Sequence, residues 1–338
     1  MTTTNVQQEL GDRLNAIIGK CISEATGISA LKPLLGGAVQ EIWSFDANTA
    51  RGDIPLVLRR ANAWADESNG AANGLSTEGL VIQEVSKTAV PVPHVYYILD
   101  QDDGLGSGFV MQRVSGETIA RKILRDDAFA NVRPKLARRC GEILAGIHQT
   151  SRAGLPLLRE SSTQLEREHY LREFISYGIA RPIFELAFRW LEDNMLPTSA
   201  PTLVHGDFRN GNLIVGQDDV NAVLDWELAH LGDPMEDLGW FCVNSWRFGN
   251  IDHPAGGFGS REELFAGYES VSGHKVNPHR VHYWEVLGTL KWGLMCEGMG
   301  LAFASGIDRS VERGAIGRRV SETEIDLMQL LTSSYGVS

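Results

Sequence analysis

The stretch His205–Gly239, HGDFRNGNLIVGQDDVNAVLDWELAHLGDPMEDLG, decides how the rest of the chain reads. Three polar residues, Asp207, Asn212 and Asp225, stand in an apolar frame. Asp207 opens a loop rich in glycine and asparagine that Asn212 closes. Leu213-Ile214-Val215 and Ala222-Val223-Leu224 are two short apolar runs, the pattern of a hairpin. Asp225 ends the second run, so a hairpin returns it beside the loop. A single aspartate before an Asn-Gly loop is most simply turn chemistry, its side chain bonding nearby backbone. Three such residues in this order assemble more than a turn. One carboxylate can orient a hydroxyl, while an amide and a second carboxylate can hold magnesium. Phosphoryl transfer asks for those parts, because its catalysis is mostly positioning and neutralisation of phosphate charge.

HGDxxxxN followed by LDWE resembles the kinase-like phosphotransferases: aminoglycoside phosphotransferases, choline kinases and their relatives. The pair parallels the HRDxxxxN and DFG segments of protein kinases, with Asp207, Asn212 and Asp225 at the matching places. The longer string, through GDPxxDLGW, is similar to the branch that holds the kinase domains of acyl-CoA dehydrogenase family members 10 and 11. The resemblance implies an α+β, protein kinase-like bilobal fold. Residues 1–114 are then a small antiparallel-sheet lobe for the nucleotide, and 115–338 a larger helical lobe for catalysis and acceptor. It also implies ATP and Mg2+, with Asp207 catalytic and Asn212 and Asp225 on the metal. Arg209, two residues after Asp207, falls where protein kinases place a catalytic-loop lysine. It can neutralise charge on the moving phosphoryl group or bond the loop backbone. Asp237 matches a residue that braces the catalytic loop from beneath, while Gly232-Asp233-Pro234 reads as a turn. His205 and His148 match structural positions.

Upstream, residues 5–24 space Leu10, Leu14, Ile17 and Ile18 as one helical stripe. Residues 34–45 read as strand, glycine turn and alternating strand. Gly36 and Gly37 suit any hairpin turn and also let backbone approach a phosphate. Ahead of Leu56-Val57-Leu58-Arg59 they resemble the nucleotide-covering loop and the strand bearing the phosphate-pairing base. The full GxGxxG of protein kinases is absent, and Arg59 stands in place of lysine. Arginine keeps its charge and bonds phosphate oxygens in a fork. Glu78 corresponds to the helix glutamate that pairs with this base, and Glu84 is the competing choice. Pro91 and Pro93 end that helix. Phe109–Gly116, containing Gln112 and Val114, resembles the last strand of the small lobe and the linker that receives adenine. Beyond Thr118 the apolar spacing is helical, with a long helix from about Val281 to Ala304. Trp240 and Trp246 belong to an aromatic cluster whose default account is core packing.

A chain of 338 residues, 43% hydrophobic and 22% charged, is ordinary for a globular enzyme. Its net charge of −12 argues against nucleic acid, which is met by a basic face. No basic segment followed by an apolar run opens the chain, and no stretch reaches the length of a membrane span. Cys21, Cys140, Cys242 and Cys296 lack metal or redox spacing, as in a cytoplasmic protein. The expected partner is a small-molecule hydroxyl acceptor: a hydroxylated metabolite such as a hydroxyacyl thioester, or an aminoglycoside-type antibiotic. Two other classes compete. A catalytically silent nucleotide-binding regulator is disfavoured by the intact Asp207, Asn212 and Asp225. A metal-dependent or other hydrolase finds no HExxH, GxSxG or GxxxxGK[ST] framework. Oligomeric state has no signal in the sequence.

Overall fold

Leu10, Leu14, Ile17 and Ile18 share one face of α1 (Thr3–Cys21), and all four are buried. The computed structural model describes residues 3–34, 40–61 and 73–332. The helix packs across β1 (Ala25–Leu34), and Lys20 at its end pairs with Asp103 at 2.8 Å. It stops short of residue 24 because the chain turns there into β1, a strand whose first part carries no apolar alternation in sequence. With β2 (Gln40–Thr49), β3 (Ile54–Ala61), β4 (Val95–Ile98) and β5 (Gly108–Gln112) it forms an antiparallel sheet in the order β1-β2-β3-β5-β4. Helix α2 (Leu75–Val85) packs on β3, β5 and the edge strand β4 of this sheet. Gly36 and Gly37 lie outside the described residues.

The remainder is mainly helical: α3 (Ala120–Arg125), α4 (Leu136–His148), α5 (Thr163–Tyr177), α6 (Pro182–Asp193), and later α7 (Met235–Cys242), α8 (Arg261–Ser272), α9 (Pro278–Ala304), α10 (Val311–Gly317) and α11 (Val320–Thr332). Helix α9 is its axis. Asn277 caps it by accepting from the N–H groups of His279 and Arg280, and Pro278 sits at the first turn, where its missing N–H costs nothing. From Val281 to Leu294 every residue of α9 is buried, so it packs on all sides rather than along one stripe. Helices α5, α6, α7, α10 and α11 all contact it. Between α6 and α7 lie four short strands, β6 (Thr202–Val204), β7 (Leu213–Val215), β8 (Val220–Val223) and β9 (His230–Gly232). They pair as β6–β9 and β7–β8, both antiparallel. The expected hairpin is β7–β8, with Ile214 opposite Ala222, but its second strand begins at Val220 and leaves Leu224 outside. The fold class is α+β, a five-stranded antiparallel sheet followed by a mostly helical part. Among the described residues no helix is long and apolar enough to cross a membrane.

Candidate active site

The loop between β6 and β7 is held from below. Asp237, in the first turn of α7 and fully buried, accepts from the N–H of His205 at 2.8 Å and of Gly206 at 2.9 Å. His148 at the end of α4 completes its shell, Nε2 to Oδ2 at 3.0 Å. Burial works against the Asp237 charge, yet these bonds hold its carboxyl below the usual range. Gly206 has φ +81°, and a Cβ there would fall 2.5 Å from the Leu228 carbonyl oxygen, so only glycine fits. His205 is buried and its imidazole lies below its ordinary pKa because of that burial. Its Nδ1 accepts from the Asp207 N–H at 3.2 Å and its Nε2 donates to the Leu224 carbonyl at 3.0 Å, locking one end of the loop to the hairpin.

Three donors converge on the Asp207 carboxylate. Trp240 Nε1 donates to Oδ1 at 2.8 Å, Asn212 Nδ2 to Oδ2 at 2.7 Å, and Arg209 Nε to both oxygens at 3.0 and 3.1 Å. The Arg209 guanidinium also stacks over Trp246 at 4.8 Å. Arg209 thus bonds Asp207 itself and not the loop backbone. The Leu224 N–H donates to the Asn212 carbonyl at 2.8 Å, and this bond seats Asp225 beside Asn212. Asp225 takes a left-handed backbone, φ 68°, which aspartate tolerates better than most residues.

From the sheet, Arg59 on the central strand β3 donates from one guanidinium nitrogen to Glu78 on α2 at 2.6 Å. Its other terminal nitrogen reaches Gln40 at 3.2 Å and Asp225 at 3.6 Å. Glu84, the competing glutamate, pairs instead with Lys87. Glu78 is fully buried, and its carboxyl is pushed up to about 7. Burial is the main cause, Arg59 opposes it and the nearby Asp225 charge adds to it. Arg59 Nε and Glu78 Oε2 are buried with no partner among the described residues.

Arg59, Asn212 and Asp225 face one cleft of about 720 Å³, with Gln112 and Val114 also in its lining. The Gln112 N–H is taken by the His94 carbonyl and that of Arg113 by Pro55. Asn212 commits its amide nitrogen to Asp207, so its oxygen is the atom left to offer, and Asp225 keeps a part-exposed carboxylate. Two hard oxygen donors fit magnesium, which retains waters and phosphate oxygens in place of a full protein cage. No cluster of three or more His, Cys, Asp or Glu suited to a metal lies among the described residues.

Two functional positions escaped the sequence reading. Trp240 was placed only in an aromatic cluster, although it lies one helical turn after Asp237 and so on the same face. Lys291, midway along α9, is buried, with Nζ donating to the Gly206 carbonyl at 3.2 Å and lying 4.5 Å from the Trp240 ring centre. Burial opposes its charge, but the surrounding Tyr170, Glu236, Glu166 and Asp207 hold its pKa above the ordinary value. Nothing local in the sequence marks it.

The sequence model of the Phosphotransferase enzyme family matches residues 31–274. Over 234 residues the chain is 26% identical to Acyl-CoA dehydrogenase family member 10 of Mus musculus, a match covering 63% of this chain and 21% of that protein. It thus corresponds to about a fifth of that relative's length. Among solved structures, a candidate aminoglycoside phosphotransferase from Ralstonia eutropha JMP134 superposes with a TM-score of 0.74 at 19% identity, over 94% of this chain and 97% of that one. A thermostable mutant of the aminoglycoside phosphotransferase APH(4)-Ia, solved with AMP-PNP and hygromycin B, gives 0.58 at 15% identity, over 96% and 99%. The fold is therefore the kinase-like one that the motifs imply.

Proposed function

The chain belongs to the Phosphotransferase enzyme family, and from that premise we propose that it moves the γ-phosphoryl group of ATP to a hydroxyl of a small molecule. The observation that carries the proposal is the Asp207 carboxylate, held by Trp240, Arg209 and Asn212, the last of which also lines the cleft with Arg59 and Asp225. The nucleotide lies in that cleft, its adenine toward Gln112 and Val114 and its phosphates toward Arg59. Residues 1–114 form the nucleotide side and 115–338 the catalytic and acceptor side. AMP-PNP in the APH(4)-Ia complex supports ATP as donor.

Asp207 orients the acceptor hydroxyl and takes its proton. The hydroxyl oxygen bonds to the γ-phosphorus as the bond to the β–γ bridging oxygen breaks, and ADP departs with that electron pair. Arg59, set by Glu78, steadies the phosphates, and Arg209 offers positive charge beside the transferring group. Magnesium held by Asn212 and Asp225 would neutralise phosphate oxygens. The acceptor is a hydroxylated metabolite, with a hydroxyacyl thioester or an aminoglycoside-type antibiotic as the specific readings.

The test is magnesium-dependent ADP release across hydroxyacyl thioesters, choline-like alcohols and aminoglycosides. Acceptor-stimulated turnover is expected to fall about 10²–10⁴-fold in Asp207→Asn. Turnover indifferent to Asp207, or a protein that does not bind AMP-PNP, sinks the proposal.

A further inference from the structure

A second cleft of about 720 Å³ lies between α3, the segment after α7, and α11. Its charge runs against that of the chain. Arg121, Arg125 and Arg319 line it, against Glu322 and Asp326, in a protein of net charge −12. The two acids are already engaged: Glu322 accepts from Arg319 at 2.9 Å and Asp326 from Asn244 at 2.8 Å. Arg121 and Arg125 are exposed and make no ion pair or hydrogen bond among the described residues. They are one helical turn apart on α3, so both guanidinium groups serve one face.

This cleft is joined to the catalytic carboxylate by stacked side chains. The Arg319 guanidinium lies 6.0 Å from the Trp292 ring, Trp292 lies 4.8 Å from Trp246, and Arg209 stacks on Trp246 at 4.8 Å while bonding Asp207. Trp246 follows directly on Ser245 of the cleft lining. The indole N–H groups of Trp246 and Trp292 are buried, and neither has an acceptor among the described residues. Buried donors of that kind normally have partners.

Resting on the phosphotransferase reading above, we infer that this cleft is the acceptor site and that it selects a hydroxylated acceptor carrying an anionic group, phosphate or carboxylate. Arg121 and Arg125 bind that anion as a pair of forked donors. The hydroxyl end is then directed toward Asp207, from which the cleft is separated by Trp246 and Arg209. A polycationic acceptor meets unpaired positive charge at the entrance and is rejected by it.

Two arms test this. In the first, the protein saturated with AMP-PNP is titrated with glycerol phosphate and with hydroxybutyrate, read by tryptophan fluorescence, since Trp246 and Trp292 adjoin the cleft. A saturable change is expected, weakened about tenfold in Arg121→Ala and in Arg125→Ala, the equivalent of one charge-assisted hydrogen bond each. Arg138→Ala, which removes an exposed charge on α4 outside the cleft, is expected to leave the titration as in the wild type. In the second arm, ADP release is compared for anionic, neutral and polycationic hydroxylated acceptors. Anionic acceptors are expected to have the highest kcat/KM, with KM rising in Arg121→Ala and Arg125→Ala. No saturable anion signal, or a preference for neutral or cationic acceptors, overturns the inference while leaving the phosphotransferase reading standing. Failure to bind AMP-PNP at all removes both.

Discussion

Trp240 shows how one side chain can serve two masters in this site. Its ring packs against Trp246 and over the Lys291 ammonium, while its N–H fixes one oxygen of Asp207. A proton acceptor contributes most when its orientation is set before the substrate arrives. Trp240→Phe keeps the apolar body and deletes only the donor. It is expected to lower kcat about tenfold, the worth of one hydrogen bond to a charged group, with little change in the KM for ATP. Steady-state kinetics decide it: a loss confined to KM would assign Trp240 to binding rather than to orienting Asp207. At this scale, Asp207, Asn212 and Asp225 were legible because one loop and one hairpin bring them together. Trp240 and Lys291 were not, since a buried aromatic and a mid-helix lysine look like core and surface until α7 meets α9. The Arg209–Asp207 pair was also missed, because spacing alone does not say which way a loop arginine turns.

The helices that carry the site are themselves placed by close approach of backbones. At Gly239 on α7 a Cβ would fall 2.6 Å from Trp284 Cβ and 2.7 Å from the Glu285 nitrogen, both on α9. Helix α7 bears Asp237 and Trp240, so its distance from α9 sets the height of the catalytic loop. Gly239→Ala must push the two helices apart and is expected to cost about 1–3 kcal/mol of unfolding free energy, with activity falling alongside. Gly19→Ala in α1 meets nothing within 4 Å and should instead gain stability, since alanine is the better helix former. Urea unfolding of both variants checks the opposite signs. If Gly239→Ala unfolds like the wild type, α7 is not held by that contact. Elements with a single apolar stripe, such as α1, could be read from spacing. Helices α10 and α11 went unread, and β1 was seen only at its end, because α10 and β1 bury no residue fully and the inner face of α11 includes the polar Thr323 and Asp326, so none shows a clean apolar stripe.

Across the whole molecule, the sheet and the helical part are coupled through Glu78. Its Oε1 accepts from Arg59 on β3 and, at 3.2 Å, from the Trp226 N–H beyond the hairpin. Spacing favoured Glu78 over Glu84, and Arg59 pairs with Glu78, whereas the meeting of Arg121, Arg125 and Arg319 needed the closed chain. Burying Glu78 has a pH signature. An ordinary glutamate titrates near 4.5, whereas Glu78 in the folded protein is pushed up to about 7. Between those values the folded protein keeps a proton that the unfolded chain has released. Stability therefore falls as pH rises through this window and levels off above it. Glu78→Gln removes the titration, so the wild type should lose stability relative to the variant between about pH 5 and about pH 8, as urea unfolding of the two in parallel would show. Equal trends would mean that Arg59 alone keeps Glu78 ionised down to the ordinary range. In that case the bridge between sheet and helices is a permanent ion pair, and the orphaned Glu78 Oε2 carries no titration near neutrality.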